Sequence, residues 1–121
     1  MKQYKAKSII ITCIDYRIQE NINNWISKHY KAGTFDRAAF TGGVLNWEID
    51  LKQIEIAYKL HRIEEVVLIN HEDCGAYGEL GVPKKHALDL KKTSDEIKQM
   101  FKDLNVKTYY LRLDGVFEQV S

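Results

Sequence analysis

The sequence predicts an α/β fold of three layers (αβα), built on a mostly parallel central sheet of about four strands. Segments with the 3.6-residue apolar period of a helix alternate with short apolar segments typical of buried strands, in the order strand, helix, strand, helix, strand, helix, strand. Parallel strands joined by right-handed crossovers place helices on both faces of the sheet. The expected strand order is 2-1-3-4.

The predicted strands differ in how clearly they are marked. The first and third are continuous apolar runs, as expected of strands that are buried on both faces. The second is weaker and is closed by Gly42 and Gly43. In chain order the four strands cover residues 7–14, 35–41, 64–70 and 106–113.

Three helices are predicted from apolar stripes at helical spacing. The first runs from Arg17 to near Gly33, the second starts near Asn46, and the main part of the third starts at Ser94. The apolar stripe of the third is formed by Ile97, Met100, Phe101 and Leu104. Residues 75–83 contain three glycines and the only proline, so we expect a loop without regular structure there. His86 lies in a Lys-rich stretch and is expected to be exposed.

Length and charge restrict the function further. The 121 residues are enough for one domain, residues 1–121, with a single core. With 18 basic and 17 acidic residues, no charge excess indicates binding to nucleic acid or to an anionic membrane. No apolar run approaches the roughly 18 residues of a transmembrane helix, and a cytoplasmic location is expected. In that compartment the two cysteines are expected to be thiols or metal ligands.

Both cysteines lie in polar clusters at the C-terminal ends of predicted strands. Cys13 follows the first strand, with Asp15 and Arg17 two and four residues later. His71 follows the third strand, with Cys74 three residues later. In an open parallel sheet, ligands gather at the carboxyl ends of the strands where the strand order reverses. The order 2-1-3-4 places that reversal between the first and third strands, so the two clusters are expected to meet.

The chemistry of this cluster favours a metal site over buried apolar cysteines. Two thiolates and one imidazole suit Zn²⁺, and three protein ligands leave the fourth tetrahedral position free. Asp15 has two possible roles. It can be the fourth ligand, which closes the site, or it can pair with Arg17 and leave the position to a water molecule, whose pKa zinc lowers to about 7.

Cys13-x-Asp15-x-Arg17 followed by His71-x-x-Cys74 and a glycine resembles the β-class carbonic anhydrases, especially their short, divergent members. The resemblance covers about residues 8–82. It implies one Zn²⁺ per chain, with Cys13, His71 and Cys74 as ligands. It also implies reversible hydration of carbon dioxide to bicarbonate by a zinc-bound hydroxide, which Asp15 and Arg17 orient as a catalytic dyad.

The resemblance also implies contacts to substrate from the backbone of Gly42, Gly43 and Gly75. The family's Arg-Asn-Ala-Gly segment aligns its glycine with Gly42, which leaves Ala39 at the place of the arginine. A substrate-contacting glutamine expected about nine residues before the first cysteine falls at Tyr4. A homodimer or higher homo-oligomer is implied as well, with sites near the interface.

Two other functions fit the same residues. One is hydrolysis of carbon disulfide or carbonyl sulfide, because the same hydroxide can attack any linear heterocumulene. The other is a non-catalytic zinc-binding domain in which Asp15 permanently closes the coordination shell. Tyr77, just past the second cluster, is expected either to reach the mouth of the site or to cover the core.

Overall fold

The computed structural model describes residues 4–120, which alternate between strands and helices as the sequence predicts. The strands are β1 (Ser8–Thr12), β2 (Phe35–Ala39), β3 (Glu65–His71), β4 (Asn105–Leu111) and β5 (Phe117–Val120). The helices are α1 (Gln19–His29), α2 (Trp47–His61) and α3 (Pro83–Met100). Short 3₁₀ turns cover Tyr16–Ile18, Gly43–Asn46 and Gly78–Leu80.

The sheet has the order β2-β1-β3-β4-β5, and the first four strands are parallel. The predicted α/β class and the order 2-1-3-4 are confirmed. The fifth strand was not predicted, because its four residues are too few to show a period. It is antiparallel to β4 and is formed by a hairpin, in which the Arg112 N–H donates to Val116 O (2.9 Å) and Gly115 has a φ of +93°.

Alternate side chains of the strands fill one core on each face of the sheet. On one face, Ile9 and Ile11 of β1 pack in a cluster to which α2 and α3 contribute. On the other face, Ile10 packs with the buried stripe of α1, which includes Ile22 and Ile26. Because β1 and β3 are buried on both faces, their middle residues, Ile9–Ile11 and Val66–Ile69, form continuous apolar runs.

Helix α3 is longer than the sequence indicates. It begins at Pro83, whose fixed φ suits the first turn of a helix, and not at Ser94. The lysines of its first half are exposed and conceal a buried stripe that includes His86 and Leu90. The prediction that His86 is exposed is therefore wrong, since its exposed fraction is 0%. The helix ends at Met100, which is half exposed, so Leu104 contributes to the core from beyond the helix.

The segment 75–83 is also more ordered than expected, since it contains a 3₁₀ turn and the first residue of α3. None of the helices within residues 4–120 is both long enough and apolar enough to cross a membrane.

Asp50, in the first turn of α2, is a buried carboxyl group within this fold. Its exposed fraction is 0%, and neither carboxylate oxygen has a hydrogen-bond partner among the described residues. On the same helix, Ile54 and Ala57 are also buried. Removal of the charged form from water raises the pKa of Asp50 to about 7.

We expect Asp50 to make stability fall as pH rises. Below about pH 4 the carboxyl is protonated in both the folded and the unfolded chain. Above that pH the unfolded chain loses the proton first, so the free energy of unfolding decreases until the folded group also ionises near pH 7. Urea denaturation of the wild type should show a loss of about 2–3 kcal/mol from this group between pH 5 and pH 8.

Asp50→Asn should lack this component of the pH dependence, because the amide does not ionise. Glu48→Gln, which changes an exposed acid in the same helical turn, is the matched control and should retain it. Equal pH dependence in the wild type and Asp50→Asn would contradict the assignment.

Candidate metal centre

The carboxyl ends of β1 and β3 bring three potential metal ligands together. Cys13 directly follows β1, His71 is the last residue of β3, and Cys74 lies in the turn after it. Their donor atoms all lie within 4.8 Å of one another, and the two Sγ atoms are 4.0 Å apart. All three residues are buried. The arrangement fits a metal ion, since it offers two soft donors and one borderline donor around one point.

The orientation of His71 also fits metal binding. Its Nδ1 lies 2.8 Å from the carbonyl oxygen of Glu72, a group that can only accept, so Nδ1 carries a proton and donates it. In the neutral ring this leaves the Nε2 lone pair free. Nε2 is buried and has no hydrogen-bond partner in the described part of the chain. A buried acceptor without a partner is expected where an ion binds, and a second-shell carbonyl on Nδ1 is typical of histidine ligands.

Cys13 lies in surroundings that favour its thiolate form. Burial opposes ionisation, but the neighbouring His71 and the backbone amides of Asp15 and Gly42 outweigh it and lower the pKa of the Cys13 thiol to about 7. The Gly42 N–H contact to Sγ measures 3.3 Å. By contrast, burial raises the pKa of the Cys74 thiol, and the nearby Cys13 adds to this effect. Cys13 is thus the more readily ionised of the two thiols.

The glycines predicted to contact substrate have different surroundings. Gly42 and Gly43 have φ values of +82° and +61°, and a Cβ on either would come within 3 Å of a neighbouring side chain. Their turn therefore requires glycine, and the Gly42 amide contacts Cys13 Sγ. A Cβ on Gly75 would meet nothing within 4 Å, so relief of crowding does not explain that glycine. Gly75 lies in the wall of the cavity described below.

Asp15 and Arg17 form a close ion pair beside the three ligands. Asp15 Oδ1 accepts the Arg17 backbone N–H (2.9 Å), and Oδ2 accepts Arg17 Nη2 (2.7 Å). These hydrogen bonds hold the pKa of Asp15 at about 2 against the opposing effect of burial. Asp15 Oδ2 also lies 3.8 Å from His71 Nε2. The carboxylate is therefore next to the ligand cluster, with both oxygens engaged by Arg17.

Asp73 is a neighbour of this pair that the sequence analysis did not single out. Its side chain accepts Arg17 Nη1 (3.1 Å), and its carbonyl accepts Arg17 Nη2 (2.7 Å). Its φ is +57°, a conformation that aspartate adopts more readily than most residues. Asp73 thus links the arginine after the first cluster to the turn between His71 and Cys74.

A cavity of about 560 Å³ opens in front of the ligands. Its lining comes from the segments around both cysteines and from Thr41: Cys13, Ile14, Asp15, Tyr16, Arg17, Thr41, Asp73, Cys74, Gly75 and Ala76. Tyr77 is not part of this lining and is only 7% exposed, so it covers the core. Ala39 and Tyr4, which stand where the family carries arginine and glutamine, are not part of it either.

A buried polar network behind the site was also missed from the sequence. Asn70 binds His86 Nδ1 (2.9 Å) and the Tyr77 hydroxyl (3.1 Å), and Tyr77 in turn donates to Asp89 (2.9 Å). Burial lowers the pKa of His86 to about 4, and the nearby His71 contributes, so the imidazole is neutral near pH 7. The feature of the sequence that could have indicated this network is the amide side chain of Asn70 at the end of an otherwise apolar strand.

The comparisons with known proteins agree with this geometry. A family model described as "Putative carbonic anhydrase" matches residues 3–121. This chain belongs to that family. An uncharacterized protein of Rickettsia conorii is 30% identical over 135 residues, which cover 96% of this chain and 73% of that protein.

Solved structures show that the fold is that of the β-carbonic anhydrases. A carbonic anhydrase from Glaciozyma antarctica matches with a TM-score of 0.75 and 14% identity, over 100% of this chain and 85% of its own. A structure of two tetrameric β-carbonic anhydrases from Sordaria macrospora matches with a TM-score of 0.67 and 15% identity, over 98% and 82%. The apo form of a carbon disulfide hydrolase matches with a TM-score of 0.70 and 14% identity, over 98% and 80%.

If the three residues hold a metal, replacing any one of them should abolish stoichiometric binding. We expect His71→Ala and Cys74→Ser to weaken Zn²⁺ binding by more than about 100-fold, since loss of even a second-shell partner costs 10–100-fold. Competition with a chromophoric chelator measures the affinity, and metal analysis after dialysis measures the content. His29→Ala, which removes an exposed imidazole on α1, is the control and should bind like the wild type. Full metal content in His71→Ala would contradict the assignment.

Proposed function

We propose that this chain is a zinc enzyme that hydrates carbon dioxide reversibly to bicarbonate. The observation that carries the proposal is that Asp15 pairs with Arg17, beside the three residues that could bind the ion. With both carboxylate oxygens hydrogen-bonded to the arginine, three protein donors remain for the ion. A three-ligand zinc site with an open fourth position is typical of catalytic rather than structural zinc.

The donor set supports zinc as the metal. Two cysteines and one histidine form a combination found in catalytic zinc sites. Zinc, when bound, supplies the Lewis acidity that makes a water molecule nucleophilic at neutral pH. For this single domain of residues 1–121 we propose a cytoplasmic location, since a reducing compartment keeps cysteines available as metal ligands.

In this proposal Asp15 and Arg17 orient the reacting groups. The ionised Asp15 would accept a hydrogen bond from the nucleophilic, water-derived oxygen. This hydrogen bond would orient the lone pair of that oxygen toward the substrate. Arg17 keeps the carboxylate charged and fixed, because its planar guanidinium contacts both carboxylate oxygens. The contacts of Arg17 with Asp73 fix the guanidinium in turn. Fixed geometry of this kind lowers the entropic part of the barrier.

The surroundings of the ligands fit a small, uncharged substrate. Ile14 contributes an apolar side chain to the lining of the cavity, and the Gly75 backbone is also part of that lining, without a side chain to block access. We assign Gly75 as the backbone contact to the substrate oxygen. Gly42 and Gly43 have a supporting role in the proposal, since their turn presents the Gly42 amide to Cys13.

Hydrolysis of carbon disulfide or carbonyl sulfide is the second candidate function. It is favoured by the match to a carbon disulfide hydrolase and by the absence of the family's arginine at Ala39. The chemistry is analogous, because each substrate is a linear molecule with an electrophilic carbon. A non-catalytic zinc domain is less consistent with the contacts of Asp15, which point its oxygens to Arg17.

Stopped-flow measurement with a pH indicator tests the proposal. Zinc-loaded wild type should hydrate carbon dioxide above the buffer rate between pH 7 and pH 9. Asp15→Asn should retain zinc and lose about 100-fold in kcat, because the carboxylate acceptor is replaced by an amide of the same shape. Asp114→Asn removes a carboxylate that also pairs with an arginine two residues away, Arg112, but outside the site, and should leave kcat unchanged.

Three results would contradict this proposal or support another function. Zinc-loaded protein without any hydration above buffer contradicts the carbon dioxide proposal. Release of sulfide from carbon disulfide or carbonyl sulfide by that sample would establish the second function. Loss of zinc from Asp15→Asn, with no activity in the wild type, would identify Asp15 as a ligand of a structural ion.

We also propose that the chain assembles as a homodimer or a higher homo-oligomer. Ile14 and Tyr16 are 57% and 85% exposed beside the cavity, and apolar side chains clustered in this way mark interaction surfaces. Sedimentation equilibrium should give at least twice the chain mass. Tyr16→Glu should shift the protein toward monomer, whereas Leu60→Glu, at an exposed position near the end of α2, should not. A monomeric wild type at high concentration would contradict the proposal.

A further inference from the structure

Asn70 is a buried amide that precedes the ligand His71 on β3 and makes three hydrogen bonds. Its exposed fraction is 1%. Its Oδ1 accepts the Val44 N–H (3.1 Å), and its Nδ2 contacts the Tyr77 hydroxyl (3.1 Å) and His86 Nδ1 (2.9 Å). Because a backbone N–H can only donate, the amide oxygen must face Val44 and the nitrogen must face the other two groups.

These contacts reach the surroundings of the other two proposed ligands, Cys13 and Cys74. Val44 belongs to the turn in which the Gly42 N–H contacts Cys13 Sγ. The Tyr77 N–H donates to the carbonyl oxygen of Cys74 (3.1 Å). The third ligand, His71, is covalently adjacent. The Asn70 side chain thus hydrogen-bonds the turn that contacts Cys13 and the tyrosine that contacts Cys74, and its backbone adjoins His71.

The network leaves the amide little freedom to move. A Cβ on Gly43 would lie 2.4 Å from Asn70 Oδ1, so the turn packs directly against the amide oxygen. On the nitrogen side, the Tyr77 hydroxyl donates its hydrogen bond to Asp89 and therefore accepts one from Asn70. The His86 ring lies with its centroid 4.0 Å from that of Tyr77. Donor and acceptor directions are therefore consistent from Val44 through Asn70 to Tyr77 and Asp89, with His86 Nδ1 as a further acceptor; His86 Nε2 is buried and has no partner among the described residues.

We propose that Asn70 is a positioning residue that sets the relative placement of Cys13, His71 and Cys74. The inference rests on the metal centre of the proposed function. An apolar residue here would leave the Val44 N–H buried without a partner, and a carboxylate would lose the donors that bind His86. Among the natural side chains close to this size, the amide of asparagine satisfies all three contacts.

Asn70→Ala tests the proposal through metal binding and spectroscopy, independently of turnover. Second-shell loss typically weakens metal affinity by about 10–100-fold, and we expect a decrease in this range for Zn²⁺. Co²⁺ is the spectroscopic probe, since its thiolate charge-transfer and d–d absorption bands report the geometry of the ligands. These bands should shift or weaken in Asn70→Ala at saturating Co²⁺.

Ser8→Ala is the matched control. Ser8 is fully buried on the neighbouring strand β1 and donates to Glu65 (2.7 Å), but it lies at the opposite end of the sheet from the ligands. Its loss should lower stability while Zn²⁺ affinity and the Co²⁺ spectrum stay unchanged. If Asn70→Ala is insoluble, Asn70→Ser is measured in the same way and judged by the same criteria.

The outcomes separate this inference from the proposed function. Unchanged affinity and spectrum in the Asn70 variant would overturn the inference and leave the metal centre intact. An equal loss in Ser8→Ala would also overturn it, since general destabilisation would then explain the effect. A wild type that binds neither Zn²⁺ nor Co²⁺ would overturn both proposals. A loss confined to the Asn70 variant, with altered Co²⁺ bands, is the expected result.

Discussion

The parallel pairing of β1 with β3 is the constraint on which the candidate metal centre depends. In this register Thr12 pairs with Ile69, so Cys13 directly follows the end of β1, while His71 ends β3 two residues beyond Ile69. Side chains alternate between the faces of a sheet, and a slip of one residue would send one ligand to the opposite face. The apolar cores on both faces fix the register, because every side chain of β1 and β3 is buried. Core packing thus brings Cys13 and His71 together, although about sixty residues separate them in the sequence.

Asn70 and Asp50 are two buried polar side chains that offset the free-energy cost of desolvation in different ways. Asn70 satisfies its oxygen and both amide protons within the protein, so its burial fixes a conformation. Asp50 has no partner among the described residues and retains a proton up to about pH 7. The first lies directly behind the ligands, whereas the second lies on the helix face that packs on the sheet. Asn70 is thus held by hydrogen bonds, whereas Asp50 is accommodated by keeping its proton.

Much of the fold and the meeting of Cys13, His71 and Cys74 could be predicted, because each depends on a local pattern with a clear physical cause. The Ile-rich run before Cys13 identifies a buried strand, and the parallel order then brings it next to His71. Helix α3 was harder, because solvated lysines masked the stripe that buries His86. The strand β5 depends on a hairpin turn rather than on its own residues. Contacts such as Arg17 with Asp73 depend on backbone conformation in a turn, for which a single sequence carries little signal.

The close approach of Gly43 to Asn70 ties two positions that lie far apart in the sequence. A side chain at position 43 would collide with the Asn70 amide and approach the Ile69 carbonyl, besides straining a backbone with a φ of +61°. A smaller residue at position 70 would relieve the first collision but release the Val44 amide. The two positions therefore constrain each other during evolution. Substitutions at the two positions are therefore expected to be epistatic, so that the effect of a change at one depends on the residue at the other.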